Sequence, residues 1–201
     1  MNGFIAIYER ATMSEYFGHL NSFFQGHGLS LANPLTGAVS VWSERGDRDE
    51  RSEQWIVDAL RQGQSISIQW WLTEALDLFC QMRRVDGGMV AELALDGHTE
   101  DELPDILRLV FEALQGSSSA FGLVVDADYV TEGFDWSKFF TGRAPCPEHL
   151  PDLLGISPDK RSTLGKQTWP SRLVAPSILA FAITSRGRRW LASVAQDASP
   201  R

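Results

Sequence analysis

The central part of the chain, from Ser65 to Asp128, carries the clearest alternation of hydrophobic and polar positions. In its first run the apolar side chains recur at every second position, at Ile66, Ile68, Trp70 and Leu72. This period is typical of a strand with one buried face. The runs Leu78 to Val85 and Met89 to Leu95 flank Asp86-Gly87-Gly88, whose glycines permit a tight turn. The pattern therefore predicts one strand followed by a β-hairpin.

An amphipathic helix is predicted after the hairpin. Its apolar stripe consists of Leu103, Ile106, Leu107, Val110 and Leu114. Thr99 and Glu102 have the spacing of a capping box at its start, and Gly116 follows its end. The apolar run Phe121 to Val125 then predicts a buried strand that ends at Asp126-Ala127-Asp128. A helix must lay its stripe on another element, so this block predicts a sheet covered by at least one helix.

The N-terminal part predicts the order strand, helix, strand, helix. The first strand is Phe4 to Glu9, and Thr12 with Glu15 forms a capping box for a helix that ends near Gly26. Ala38 to Trp42 predicts the next strand. The highly charged residues 44–53 predict a solvated loop or the entry to a helix that carries Trp55, Ile56, Ala59 and Leu60.

After Asp128 the regular patterns fade, and prolines and glycines predict a long irregular stretch. Within it we expect a short helix at Glu148 to Leu154, a last strand at Ile178 to Thr184 and a last helix at Arg188 to Ala198. The whole chain, residues 1–201, is predicted to be a single α+β domain with parts 1–64, 65–128 and 129–201. Its sheet is expected to be mostly antiparallel, with the helices packed mainly on one face.

The composition predicts a cytoplasmic protein. No apolar run reaches the ~18 residues that span a bilayer, and Phe4 to Tyr8 meets charged residues too early for a signal peptide. The two isolated cysteines, Cys80 and Cys146, suit a reducing compartment. We therefore expect no membrane association.

Charge is distributed very unevenly along the chain, whose net charge is -8. Residues 86–135 hold 12 acids and a single base, Arg108, whereas residues 136–201 hold 4 acids and 10 bases. Such an acidic block repels nucleic acid, because phosphate binding requires clustered Lys and Arg. It favours a basic protein partner or a metal ion. Alternatively, the acidic block and the basic C-terminal third face each other within the fold.

Asp126 and Asp128 are the sharpest candidates for catalysis, because paired carboxylates at a strand end can hold Mg²⁺ beside a phosphate. Residues 124–130, Val-Val-Asp-Ala-Asp-Tyr-Val, resemble the first motif of haloacid-dehalogenase-type phosphatases. That resemblance implies that Asp126 is the nucleophile and Asp128 the acid. Gly116-Ser117 with the same two carboxylates is similar to the nucleotidyltransferase signature. Both resemblances lack their later residues. No Asp-Asp pair follows to complete the metal site of the phosphatases, and Ile178 to Thr184 carries no acid to serve as the further carboxylate of the nucleotidyltransferases.

Other catalytic or cofactor-binding motifs are weak or missing in the sequence. Cys146-Pro147-Glu148-His149 supplies half a zinc site, and its further ligands would have to come from His19, His27 and His98, which have no matching spacing. The sequence contains no nucleophile elbow, no P-loop and no dinucleotide fingerprint. We therefore expect no cofactor and no metal, and a protein that is not an enzyme.

Aromatic residues give two further expectations. Trp70 and Trp71 are adjacent on a strand, so their side chains point to opposite faces, and one of them is available to a helix or a partner. Phe134, Trp136, Phe139 and Phe140 cluster just after the acidic block. They either anchor a protein partner or pin the irregular segment onto the core.

Together these features predict a non-catalytic protein whose acidic face masks a basic protein partner. A bacterial immunity protein that neutralises a toxin is the concrete form of this hypothesis. The alternatives are a metal-dependent phosphoryl- or nucleotidyl-transfer enzyme, which would use the two carboxylates named above, and a structural subunit with Trp70 or Trp71 in an oligomer interface. The predicted partner-binding residues are Glu100, Asp101, Asp105, Glu112, Asp126, Asp128 and Trp136.

Overall fold

The alternating runs of the sequence become strands of antiparallel sheet in the computed structural model, which describes residues 3–43, 46–73, 77–164 and 168–196. These residues form ten strands, five α-helices and one 3-10 helix, beginning with β1 (Phe4–Glu9). They divide into two units. Glu9–Ala94 is the N-terminal unit, and Met1–Tyr8 with Leu95–Arg201 is the C-terminal unit. The α+β class is confirmed, while a single domain with its helices mainly on one face stays a prediction.

The N-terminal unit contains most of the elements that alternation predicts. It consists of α1 (Met13–Gly26), β2 (Val39–Trp42), β3 (Arg48–Arg51), α2 (Glu53–Arg61), β4 (Ile66–Trp71), β5 (Asp77–Val85) and β6 (Gly88–Ala94). Its strand order is β3-β2-β4-β5-β6, and each neighbouring pair is antiparallel. The hairpin turns between Val85 and Gly88, where Gly87 adopts a φ of 85°. A positive φ of this kind favours glycine, so the tight turn predicted at Asp86-Gly87-Gly88 is confirmed.

Helix α1 packs its buried face into the core of this unit. The capping box of Thr12 and Glu15 is formed at its start, as predicted. Trp70 of β4 is fully buried, its ring stacks on Phe17, and its indole Nε1 donates to Asn21 of α1 at 3.0 Å. Trp70 is therefore a core residue whose indole N–H is satisfied within the unit. Of the two tryptophans proposed for an oligomer interface, only the half-buried Trp71 is still a candidate.

Strand β3 corrects the expectation of a loop or helix entry at residues 44–53, of which 44 and 45 lie outside the described residues. All four residues of β3 are exposed and charged, and they pair in register with β2. A strand at the end of the sheet order needs no buried face, so it shows no alternation. Its charges also oppose further strand pairing.

The C-terminal unit contains four strands besides β1. In chain order its elements are α3 (Leu103–Gln115), β7 (Ala120–Asp126), α4 (Trp136–Phe140), β8 (Leu153–Ile156), a 3-10 helix (Pro158–Leu164), β9 (Ser171–Ala175), β10 (Ile178–Ala182) and α5 (Ser185–Gln196). The strand order is β1-β7-β8-β10-β9. The β7-β8, β8-β10 and β10-β9 pairs are antiparallel.

One helix predicted in the last third of the chain is wrong. The helix expected at Glu148 to Leu154 is absent from this described stretch, and β8 occupies its end with four buried residues. A short, continuously apolar run suits a central strand, but periodicity alone does not distinguish it from a buried helix. The predicted last helix corresponds to α5, and the final two residues of its range, 197 and 198, lie outside the described residues.

Helix α3 begins later than the predicted capping box indicates. The Glu102 carboxylate accepts from the Thr99 N–H at 2.7 Å, but the reciprocal bond that caps the helix is replaced by a Thr99 hydroxyl bond to the same carboxylate. Pro104 lies in the first turn of α3. A start at Thr99 would place this proline inside the helix, where it lacks an N–H and clashes with the preceding turn.

Candidate functional site

The exposed acidic residues of the C-terminal unit concentrate around α3. Its apolar stripe is buried, including Leu107 and Val110 at 0% exposure, and this forces the polar positions outward. Asp105 and Glu112 are exposed on the helix, and Asp101 is exposed in the turn before it. We call Asp101, Asp105 and Glu112 the α3 acidic surface. Three exposed carboxylates on α3 and in the turn before it create a negative potential that attracts cations from a distance.

The single base of the acidic block only partly offsets this surface. Arg108 lies 3.1 Å from the Asp105 carboxylate, whose side chain is 73% exposed. Exposed pairs of this kind contribute about 0 to 1 kcal/mol, because water screens both charges. Asp105 therefore remains accessible to a partner.

Two arginines of α5 reach the other predicted carboxylates. Arg186 lies 2.8 Å from Asp128, and Arg189 lies 3.0 Å from Glu100. Arg186 is also 3.8 Å from the nearly buried Asp152. The alternative in which the acidic block faces the basic C-terminal third is therefore confirmed for Glu100 and Asp128.

The charge of Arg186 is held by its surroundings. Partial burial acts to lower the pKa of its guanidinium, but the hydrogen bond that it donates to Asp128 and the charges of Asp152, Asp128 and Glu100 act in the opposite direction and raise it. The guanidinium thus stays charged and joins the end of β7 to the start of α5. This contact stabilises the fold locally and reduces the free charge of Glu100 and Asp128.

Asp126 differs from the other predicted carboxylates because it is fully buried. Its Oδ1 accepts from the N–H groups of Asp128 at 3.3 Å and Val130 at 3.0 Å. Its Oδ2 accepts from the N–H of Thr131 at 2.6 Å and from the Thr131 hydroxyl at 2.7 Å. The carboxylate therefore closes the loop after β7, in which Tyr129 has a φ of 53°. The expectation that Asp126 faces a partner is wrong.

Trp136 is the second predicted partner-binding residue that lies in the interior, at 2% exposure. Its indole Nε1 donates to the Thr131 hydroxyl at 3.3 Å, so it belongs to the same buried network as Asp126. Its ring also stacks on Phe140 and meets Phe139 edge to face. Of the two roles proposed for these aromatics, packing against the core is the one realised.

The pair Asp126 and Asp128 does not form an open carboxylate pair. Asp126 is enclosed by its own loop, whereas the Asp128 side chain is 59% exposed and pairs with Arg186. Among the described residues no group of three or more His, Cys, Asp or Glu side chains is placed to hold a metal ion. Cys146 and His149 are exposed in the loop before β8.

Three residues that shape this region are not identified by the sequence patterns: Asp152, Arg186 and Arg189. The excess of bases after residue 135 indicates that some arginines meet the acidic block, but it does not identify them. Arg186 and Arg189 are three residues apart on one helix, which places both on the same face. This spacing is the sequence feature that could have identified them. Asp152 follows a proline in an apolar segment and carries no such signal.

No helix among the described residues is long and apolar enough to cross a membrane. Comparison of the chain with protein-family models, with curated proteins and with solved structures found no match.

Proposed function

We propose that this chain is a non-catalytic protein that masks a basic protein partner with the α3 acidic surface. The observation that carries the proposal is the outward placement of Asp101 and Asp105 in a block of 12 acids and one base. Exposed charges of one sign steer a partner of opposite charge and fix its orientation. The concrete form is a bacterial immunity protein that neutralises a toxin in the cytoplasm.

The pairing with α5 refines which carboxylates would meet the partner. Glu100 and Asp128 share their charge with Arg189 and Arg186, and Asp126 is enclosed. Asp101 and Asp105 thus become the principal contacts, together with Glu112 further along the helix. The partner would present Lys or Arg side chains along a surface about as long as α3.

The geometry of Asp126 favours this binding role over metal-dependent phosphoryl or nucleotidyl transfer. Both of its oxygens accept hydrogen bonds from its own loop. A metal ion would have to displace these donors, and buried donors left without acceptors are costly. We therefore base the proposed function on the α3 acidic surface alone.

A paired capture experiment tests the proposal. Purified chain is immobilised and exposed to lysate of the source cells at low and then high salt, and retained proteins are identified by mass. The matched baits are Asp101→Lys with Asp105→Lys, and Asp47→Lys with Glu50→Lys, which makes the same charge change on exposed residues of the N-terminal unit. We expect the wild type and the second bait to retain one basic protein that salt elutes, and the first bait to lose it.

Two results would contradict the proposal. Retention of the partner by the Asp101→Lys, Asp105→Lys bait would show that the α3 acidic surface is not the contact. Retention that salt does not weaken would show that charge does not drive the association, because exposed charges are screened over about 10 Å at 0.1 M salt.

A further inference from the structure

A cleft of about 430 Å³ lies between α3, β9 and α5 of the C-terminal unit. Its apolar lining comes from Phe111 of α3, Leu173 and Val174 of β9, and Val194 of α5. Small-molecule sites occupy roughly 300 to 1,000 Å³ and combine apolar walls with a few polar groups. The cleft has the size and the walls of such a site.

The polar lining centres on Arg172 of β9. Its Nη1 is buried and has no hydrogen-bond acceptor within the part of the chain that the structure describes. Arg108 also lines the cleft, but its guanidinium is engaged by Asp105 at 3.1 Å. Buried donors in native proteins are almost always satisfied, by protein, by water or by a ligand. Arg172 is therefore the group that a bound anion would satisfy.

The position of β9 keeps the cleft accessible. It is the outermost strand of its sheet, and the side chain of Leu173 is 57% exposed. The outermost strand at the other end of the order, β3, exposes only charged residues. An exposed leucine beside a half-buried arginine whose Nη1 is buried is thus a local feature of this strand, and it provides an apolar contact next to a cationic one.

We propose that this cleft binds an amphipathic monocarboxylate. Its carboxylate would accept from Arg172, and its apolar chain would lie against Leu173, Phe111 and Val194. A planar guanidinium matches a carboxylate well, since the two groups can form parallel charge-assisted hydrogen bonds. Glu112 also lines the cleft and disfavours a second negative charge, so a phosphate dianion fits less well. The cleft shares Glu112 with the α3 acidic surface, but this inference does not rest on the proposed partner-binding role.

Calorimetric titration of the full chain tests the site, with octanoate as the probe. Octanamide has the same chain without the charge, and acetate has the charge without the chain. We expect one octanoate per chain, and octanamide and acetate each weaker by about tenfold or more, as expected for loss of a charge-assisted bond or of apolar burial. Inorganic phosphate should bind more weakly than octanoate.

Variants then assign the contacts. Arg172→Gln should weaken octanoate binding by about tenfold or more, and Leu173→Ser should weaken it while leaving the weak acetate binding unchanged. The matched control is Arg188→Gln, which removes the same charge from an exposed residue of α5 outside the cleft lining. It should leave the affinity unchanged.

The proposal is overturned if octanoate and octanamide bind equally, if phosphate binds more tightly, or if octanoate does not bind at millimolar concentration. Unchanged octanoate affinity in a folded Arg172→Gln variant would also overturn it. If circular dichroism shows that Arg172→Gln does not fold, two other measurements decide the question: the affinities of the wild type for octanoate and octanamide, and the affinity of the Leu173→Ser variant for octanoate.

Discussion

Replacing Asp126 by Asn tests whether this carboxylate is a structural group. An Asn side chain keeps one acceptor oxygen and places an amide donor where the second oxygen was. The remaining oxygen would accept the two short hydrogen bonds from Thr131. The N–H groups of Asp128 and Val130 would then face the new amide NH₂, which is a donor and cannot accept from them. Hydrogen bonds to a charged group contribute about 1.5 to 3 kcal/mol each, so the loss of two predicts a destabilisation of about 3 to 6 kcal/mol.

Urea unfolding followed by tryptophan fluorescence measures this loss as a lower transition midpoint with an unchanged slope. The control is Asp128→Asn, which removes a charge two residues away. Asp128 is largely exposed where it pairs with Arg186, and such a pair contributes about 1 kcal/mol or less. A native-like or increased stability of Asp126→Asn would refute the structural role. Increased stability is typical when a carboxylate is retained for chemistry at the expense of stability.

Three further predictions concern packing, pH and thiol reactivity. Gly122→Ala should lower the free energy of unfolding by about 1 to 3 kcal/mol, because the added methyl group meets the ring of Phe140. Thermal unfolding measures this loss. Gly18→Ala, at an open position of α1, should instead stabilise by about 0.5 to 1 kcal/mol. Burial raises the pKa of Glu92, so its contribution to stability is complete below the ordinary Glu pKa and is lost as pH rises through the folded-state value. As pH rises above the ordinary Glu pKa of about 4.3, the urea midpoint of Glu92→Gln should therefore increase relative to that of the wild type. Parallel pH profiles for the two proteins would contradict this. Finally, a thiol reagent should modify the exposed Cys146 in the native protein and Cys80 only after unfolding, because burial removes access to the Cys80 thiol and raises its pKa.

The elements that the sequence predicts well are those in which local and long-range signals agree. Helix α1 has a capping box and an apolar stripe, β4 alternates, and β5 and β6 pair in register around a glycine turn. The missed strands lack one of these signals. Every residue of β3 is exposed, and every residue of β8 is buried, so neither alternates. Strand β9 alternates only partly, because it lies at the end of the sheet order.

The candidate site could be predicted in its charge but not in the direction of each carboxylate. The acidic stripe of α3 follows from helical spacing, and Asp101 and Asp105 are exposed as expected. Asp126 turns inward because donors at positions 128, 130 and 131 converge on it. That convergence depends on the positive φ of Tyr129, and no periodic pattern encodes it. The pairing of Asp128 with Arg186 joins residues far apart in sequence, so only the overall charge asymmetry indicated it.

The central claim, that the α3 acidic surface drives binding to a basic protein, is tested most directly by association kinetics. Stopped-flow measurements would follow the wild type and the Asp101→Lys, Asp105→Lys variant with the captured partner across a range of salt concentrations. We expect the association rate of the wild type to fall steeply with salt and to exceed that of the variant by about tenfold or more at low salt. Equal rates for the two proteins, or a wild-type rate independent of salt, would contradict the claim.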